Sequence, residues 1–158
     1  MVHVARRSAR AFSLVELVIV VVIIGIIGAI AIPRLSRGSA SASDNALRGN
    51  LSVLRRAIEL YAAEHDGKFP DDSTTIADQL LKYTDITGAT SATKSATHIY
   101  GPYIANAIPA LPVGSNKGSN AFVASQGGVA GWVYAGGTVT ANLPDSEKDV
   151  PGTQYNKY

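Results

Sequence analysis

Arg10-Ala11-Phe12-Ser13-Leu14-Val15-Glu16 opens into an apolar run that ends at Ile32, and the reading of this stretch decides the fold. Leu14 to Ile32 is roughly nineteen residues, enough to cross a hydrocarbon core of about 30 Å as a helix. The Val and Ile content is no objection, because in lipid a lone segment satisfies its backbone only as a helix. Glu16 is the one charge in the run. A charged side chain in a membrane core costs roughly 2.5–3.5 kcal/mol, so one retained there is usually paired and functional. The run itself offers no Lys, Arg or His as a partner. The nearest candidate is an α-amine, which a cut just before Phe12 would create.

Ala11-Phe12-Ser13-Leu14-Val15-Glu16 followed by a long apolar helix resembles the N-terminus of the type IV pilin and type II secretion pseudopilin superfamily. With Phe12 counted as the first mature residue, Glu16, Gly25 and Pro33 fall where that superfamily keeps a glutamate, a glycine and a proline. The resemblance implies a leader over residues 1–11, removed by a prepilin peptidase between Ala11 and Phe12, with N-methylation of Phe12. Ala11 departs from the glycine that most members carry before the cut. It further implies that Glu16, Gly25 and Pro33 serve assembly. The function implied is that of a structural subunit and not an enzyme, most like the major pseudopilin of type II secretion. Its partners would be copies of itself, other pseudopilins and an inner-membrane assembly platform, building a periplasmic pseudopilus that drives protein export.

Composition sets further bounds. A chain of 158 residues suits one domain plus an anchor. Of fourteen basic residues, Arg6, Arg7 and Arg10 lie in the leader, leaving eleven against twelve acidic ones. That near-neutrality gives no reason to expect nucleic acid as a primary partner. The leader arginines favour a cytoplasmic N-terminus, with Arg34 and Arg37 on the far side making the asymmetry modest. There is no Cys, so stability comes from packing rather than from a disulfide framework. Many type IV pilins close a C-terminal loop with a disulfide, so within the resemblance this points to the pseudopilin branch.

Beyond Ile32, Pro33 removes a helical hydrogen bond and residues 36–43 are poor helix formers, which predicts a bend or frayed turn. The family resemblance instead implies one continuous helix. From Asp44 onward, Leu47, Leu51, Leu54, Ile58 and Tyr61 form a single apolar stripe, the amphipathic half of the helix over 34–66, stopped by Gly67 and Phe69-Pro70. Thr75-Ile76-Ala77-Asp78 reads as a capping-box start of a short helix within 71–84, with Ile76, Leu80 and Leu81 on one face. Residues 85–97 read as a surface loop. Trp132 to Ala135, Gly136-Gly137, and Thr138 to Leu143 predict a β-hairpin, to which Ala121–Ala124 adds a third strand. Pro144 to Tyr158 reads as a polar tail. The fold class is therefore α+β and pilin-like: a transmembrane half-helix over 12–33, an amphipathic half, and a head over 67–158 in which a small antiparallel sheet covers the helix.

No sequence pattern for catalysis emerges. His3, His65 and His98 are mutually isolated and read as solvated, and no H-E-x-x-H, G-x-S-x-G, P-loop or G-x-G-x-x-G occurs. Asp145, Glu147 and Asp149 read most simply as a solvated acidic tail. The resemblance adds calcium as a candidate ligand for those three, since major pseudopilins carry a C-terminal calcium site and Ca²⁺ takes six to eight oxygens.

Three other readings compete. A surface type IV pilin, major or minor, for adhesion, motility or DNA uptake, would share this N-terminus. An uncut signal anchor would keep residues 1–11. Ala29-Ile30-Ala31 also fits the cleavage site of an ordinary secretory signal, which would deliver a periplasmic binding module starting at Ile32. Glu16 and the length of the apolar run weigh against that last reading.

Overall fold

The computed structural model describes residues 12–158; the leader and its last residue, Ala11, lie outside the described residues. α1 (Leu14–Glu64) is an unbroken helix of 51 residues. Pro33 and the serine-rich 36–43 lie inside it, so the frayed turn predicted there is not found. Pro33 removes only one backbone donor. Each serine costs tenths of a kcal/mol relative to alanine, less than propagation gains between two well-formed segments.

The chain divides into two compact units, Met1–Gly38 and Ser39–Tyr158. In the first, Leu14–Ile32 is long and apolar enough to cross a membrane, and none of it is buried. In the second, the α1 stripe of Leu47, Leu51, Leu54, Ile58 and Tyr61 is buried throughout. It packs in one core with Ile76, Leu80, Leu111, Trp132, Tyr134, Val139 and Leu143.

The exit of α1 is set by two consecutive left-handed residues, Asp66 (φ 54°) and Gly67 (φ 79°). The Gly67 N–H donates back to the Ala62 carbonyl at 2.8 Å, closing the helix end as the sequence predicts. α2 (Ile76–Leu81) starts differently from expectation, because Thr75 makes no side-chain cap bond. Asp72 organises the turn instead: its Oδ1 accepts from the N–H groups of Thr74 (2.8 Å) and Thr75 (3.0 Å). An aspartate bonding its own backbone two residues on is a turn former in its own right, and it pre-empts the capping box.

Two small sheets complete the head. β1 (Tyr83–Thr84) pairs antiparallel with β2 (Thr90–Ser91), so the predicted 85–97 loop contains a short strand. β3 (Phe122–Val123), β4 (Trp132–Ala135) and β5 (Thr138–Ala141) form the second sheet. Here β3 pairs parallel with β4, so the sheet is mixed rather than wholly antiparallel. The β4–β5 hairpin is as predicted, with Ala135 opposite Thr138 and both turn glycines at positive φ (55° and 83°). Such values are those of a two-residue type I′ turn, whose twist suits the flanking strands. Alternation along the hairpin turns Trp132 and Tyr134 of β4, with Val139 and Ala141 of β5, into the core.

The C-terminal residues are not a solvated tail. Asp149 is 6 % exposed, and a single 3₁₀ turn, Tyr155–Lys157, follows it. The physical reason is a set of polar anchors on α1, described next.

Candidate functional site

Chemistry at the N-terminal unit rests on one carboxylate. Glu16 lies in the first turn of α1, where a negative charge meets the positive end of the helix dipole. The side chain is exposed, and it has no ion-pair partner among the described residues. Around it, Phe12, Leu14, Val15 and Leu17 are exposed, Phe12 by 82 %. A side chain at Gly25 would meet nothing within 4 Å. Pro33 falls inside α1. An apolar helix with no buried face and one charge near its start has the make-up of a segment that acts in lipid or against other helices.

In the head, the polar groups that matter are ones the motif search passes over. Asp44 is buried on the same side of α1 as the apolar stripe. Its Oδ2 accepts from the Val150 N–H at 2.9 Å and its Oδ1 from the Tyr155 hydroxyl at 2.7 Å. Burial, followed by the bond to Asp44, pushes the Tyr155 phenol up from its ordinary value. One turn further along α1, Arg48 reaches Asp149 Oδ2 at 3.0 Å and the Tyr158 hydroxyl at 2.6 Å, and lies 4.9 Å from the centre of the Tyr158 ring. The Tyr158 hydroxyl in turn donates to Asp149 Oδ2. Burial alone would raise the Asp149 carboxyl. The Tyr158 hydroxyl, the N–H groups of Thr153 and Gly152 and the Arg48 charge outweigh it and hold the carboxyl below the ordinary range.

His65, expected to be solvated, is 1 % exposed. Its Nδ1 lies 2.8 Å from the Tyr61 carbonyl oxygen and its Nε2 2.9 Å from that of Asp85. Its ring stacks on Tyr61 at 3.8 Å. These contacts join the end of α1 to the turn after β1 and leave neither nitrogen open to a substrate. His98 is half-buried and bonds locally to Ser95 and Thr97.

The three calcium candidates are each engaged elsewhere. Asp145 accepts from the Asn156 side chain, Glu147 from the Ser115 N–H at 3.0 Å, and Asp149 from Arg48 and its own loop. Among the described residues no group of three or more His, Asp or Glu side chains converges as a metal ion would require. The nearest concavity, about 340 Å³, is lined by Ser115, Asn116, Gln126, Asn142 and Asp145 among others. Its amides are committed to the backbone: Asn116 Nδ2 donates to the carbonyls of Ala130 (2.9 Å) and Asn142 (2.8 Å).

Comparison with known families decides what the N-terminal geometry belongs to. Residues 6–32 match the prokaryotic N-terminal methylation motif, the prepilin signal of type IV pilins and pseudopilins. This chain carries a prepilin-type N-terminus. No curated protein and no solved structure matches it. The motif implies processing by a prepilin peptidase and assembly with other pilin-type subunits, and its apolar segment fits the membrane anchor of a prepilin-type protein. The proteins that bear such a motif are structural subunits. The α+β head attached to this prepilin signal is pilin-like in arrangement, a long helix with small sheets packed on its second half.

Proposed function

We propose that this chain is a structural subunit of a type IV filament, and within that class a pseudopilin of type II secretion. The observation that carries the reading is a methylation motif that includes the nineteen-residue segment Leu14–Ile32, apolar but for Glu16 and with none of it buried. In the precursor, the leader arginines keep the N-terminus cytoplasmic and the head lies across the inner membrane. Prepilin peptidase cuts between Ala11 and Phe12 and methylates the new Phe12 amine. Glu16 of one subunit then meets the amine of its neighbour. In low dielectric the attraction of two close charges is several-fold that in water, so an unpaired Glu16 is penalised and one docking register is favoured.

Leu14 to Ile32 bundle in the filament core, where Gly25 permits close approach of helices and Pro33 marks the exit. Other pseudopilins and an inner-membrane assembly platform are the partners. The cysteine-free head supports the pseudopilin branch over a surface pilin.

Replacing Glu16 with Ala tests the pairing. The variant is expected to insert into the membrane normally and to lose filament assembly about tenfold or more, the consequence of one lost charge pair. Normal assembly would contradict the pairing. Shearing the cell surface separates the two filament systems: a pseudopilin stays with the cells, whereas recovery in the sheared fraction marks a surface pilus.

A further inference from the structure

The C-terminal segment of a head like this one must be held down, and the family resemblance would give that task to calcium. The residues present do not suit the ion. Ca²⁺ takes six to eight oxygens at about 2.3–2.6 Å. Here both oxygens of Asp44 and both of Asp149 already accept hydrogen bonds from the protein. The Glu147 carboxylate caps the Ser115 N–H, and Asp145 accepts from the Asn156 side chain at Oδ1 and from the Gln154 side chain at its backbone carbonyl. A guanidinium also sits against Asp149, and a fixed positive charge repels a divalent cation from the same carboxylate.

We infer that residues 144–158 are clasped to α1 by Arg48 acting as a built-in cation, so that the head closes its C-terminal segment without a metal ion. The geometry has three levels. Arg48 bridges Asp149 and the Tyr158 hydroxyl while its guanidinium carbon lies 4.9 Å from the centre of the Tyr158 ring, and Asn45 steadies its other nitrogen at 3.3 Å. Asp149 closes its own loop, its Oδ1 accepting from the Thr153 N–H at 2.6 Å and its backbone N–H donating to the Thr153 carbonyl at 2.9 Å. One turn before Arg48, Asp44 takes the Val150 N–H and the Tyr155 hydroxyl, so the segment is tied at two further points after Asp149. Arg55 extends the clasp along the helix, donating to the carbonyls of Val139 (3.2 Å) and Tyr158 and so joining β5 to the same segment. A planar fork that meets a carboxylate and a hydroxyl beside an aromatic ring is arginine chemistry that lysine does not reproduce.

The inference does not depend on how the N-terminus is processed. It is tested on the full chain in detergent micelles, by thermal unfolding followed through the single Trp132 and by the rate of tryptic cleavage after Lys148. For the unsubstituted chain, both measurements are expected to be the same in excess EDTA and in millimolar calcium chloride. Arg48→Met is expected to lower the melting temperature by about 5–10 °C, because it leaves the Asp149 carboxylate buried and unpaired. Cleavage after Lys148 should accelerate several-fold in Arg48→Met and in the milder Asp149→Asn. A calcium-dependent rise in the melting temperature of the unsubstituted chain, or faster cleavage in EDTA, would overturn the inference. So would an Arg48→Met chain that melts and cleaves like the parent. If Arg48→Met does not fold, the metal arms on the unsubstituted chain and the Asp149→Asn cleavage rate decide alone.

Discussion

At the scale of single residues, the head is defined by polar groups placed where the helix pattern calls for apolar ones. Extending the stripe of Leu47, Leu51, Leu54, Ile58 and Tyr61 by three residues backwards and four forwards lands on Asp44 and His65, both buried. Their positions were legible in the periodicity, but their burial was not, because aspartate and histidine are ordinarily solvated. What buries them is non-local: a backbone N–H and a phenol from the C-terminal segment for Asp44, a carbonyl from the turn after β1 for His65. The tyrosines carry a consequence for pH. Burial pushes the Tyr61 and Tyr134 phenols up from 10.0 to about 12, and raises Tyr103 and Tyr155 in the same direction. A raised phenol favours the neutral folded state. That contribution is whole below the unfolded value of about 10 and is lost as pH climbs through about 12. Alkaline unfolding is therefore expected between about pH 10 and 12, with the last four of the seven tyrosines ionising as Trp132 fluorescence changes. More than three of the seven tyrosines ionising well before the fluorescence change would contradict the assigned burial.

At the scale of elements, the long-period and glycine signals were readable and the two-residue strands were not. The α1 stripe and the Gly136-Gly137 hairpin follow from period and turn chemistry over several residues each. β1, β2 and β3 are two residues long, too short to show alternation, and the parallel pairing of β3 with β4 depends on a loop returning through Gly127 and Gly128. The serine-rich turn of α1 misled for the opposite reason: local propensity is weak and its neighbours carry the helix through it. The two hairpin glycines are not equivalent. A side chain at Gly136 would meet nothing within 4 Å, whereas one at Gly137 would lie 2.7 Å from the Phe69 ring. Gly137→Ala is expected to destabilise the head by about 2–3 kcal/mol through a left-handed backbone and overpacking together. Gly136→Asn should stay within about 0.5 kcal/mol, since asparagine tolerates that conformation. Equal losses in denaturant titrations of the two variants would count against the turn as described.

At the scale of the whole molecule, the chain joins a segment with no buried face to a head with a core of its own. The sequence distinguishes the two by their patterns, a nineteen-residue segment broken by one charge, Glu16, against a later amphipathic stripe. The clasp of the C-terminal segment was not legible there, since it joins residues about a hundred positions apart, and no local pattern links Asp44 and Arg48 to Asp149. Everything proposed about assembly depends on what happens at Phe12. The measurement that tests it most directly is the N-terminal residue and intact mass of the full protein recovered from cell membranes. A chain that begins at N-methylated Phe12 is the expected result. A chain that begins at Ile32, or one that still carries residues 1–11, would contradict the filament-subunit account.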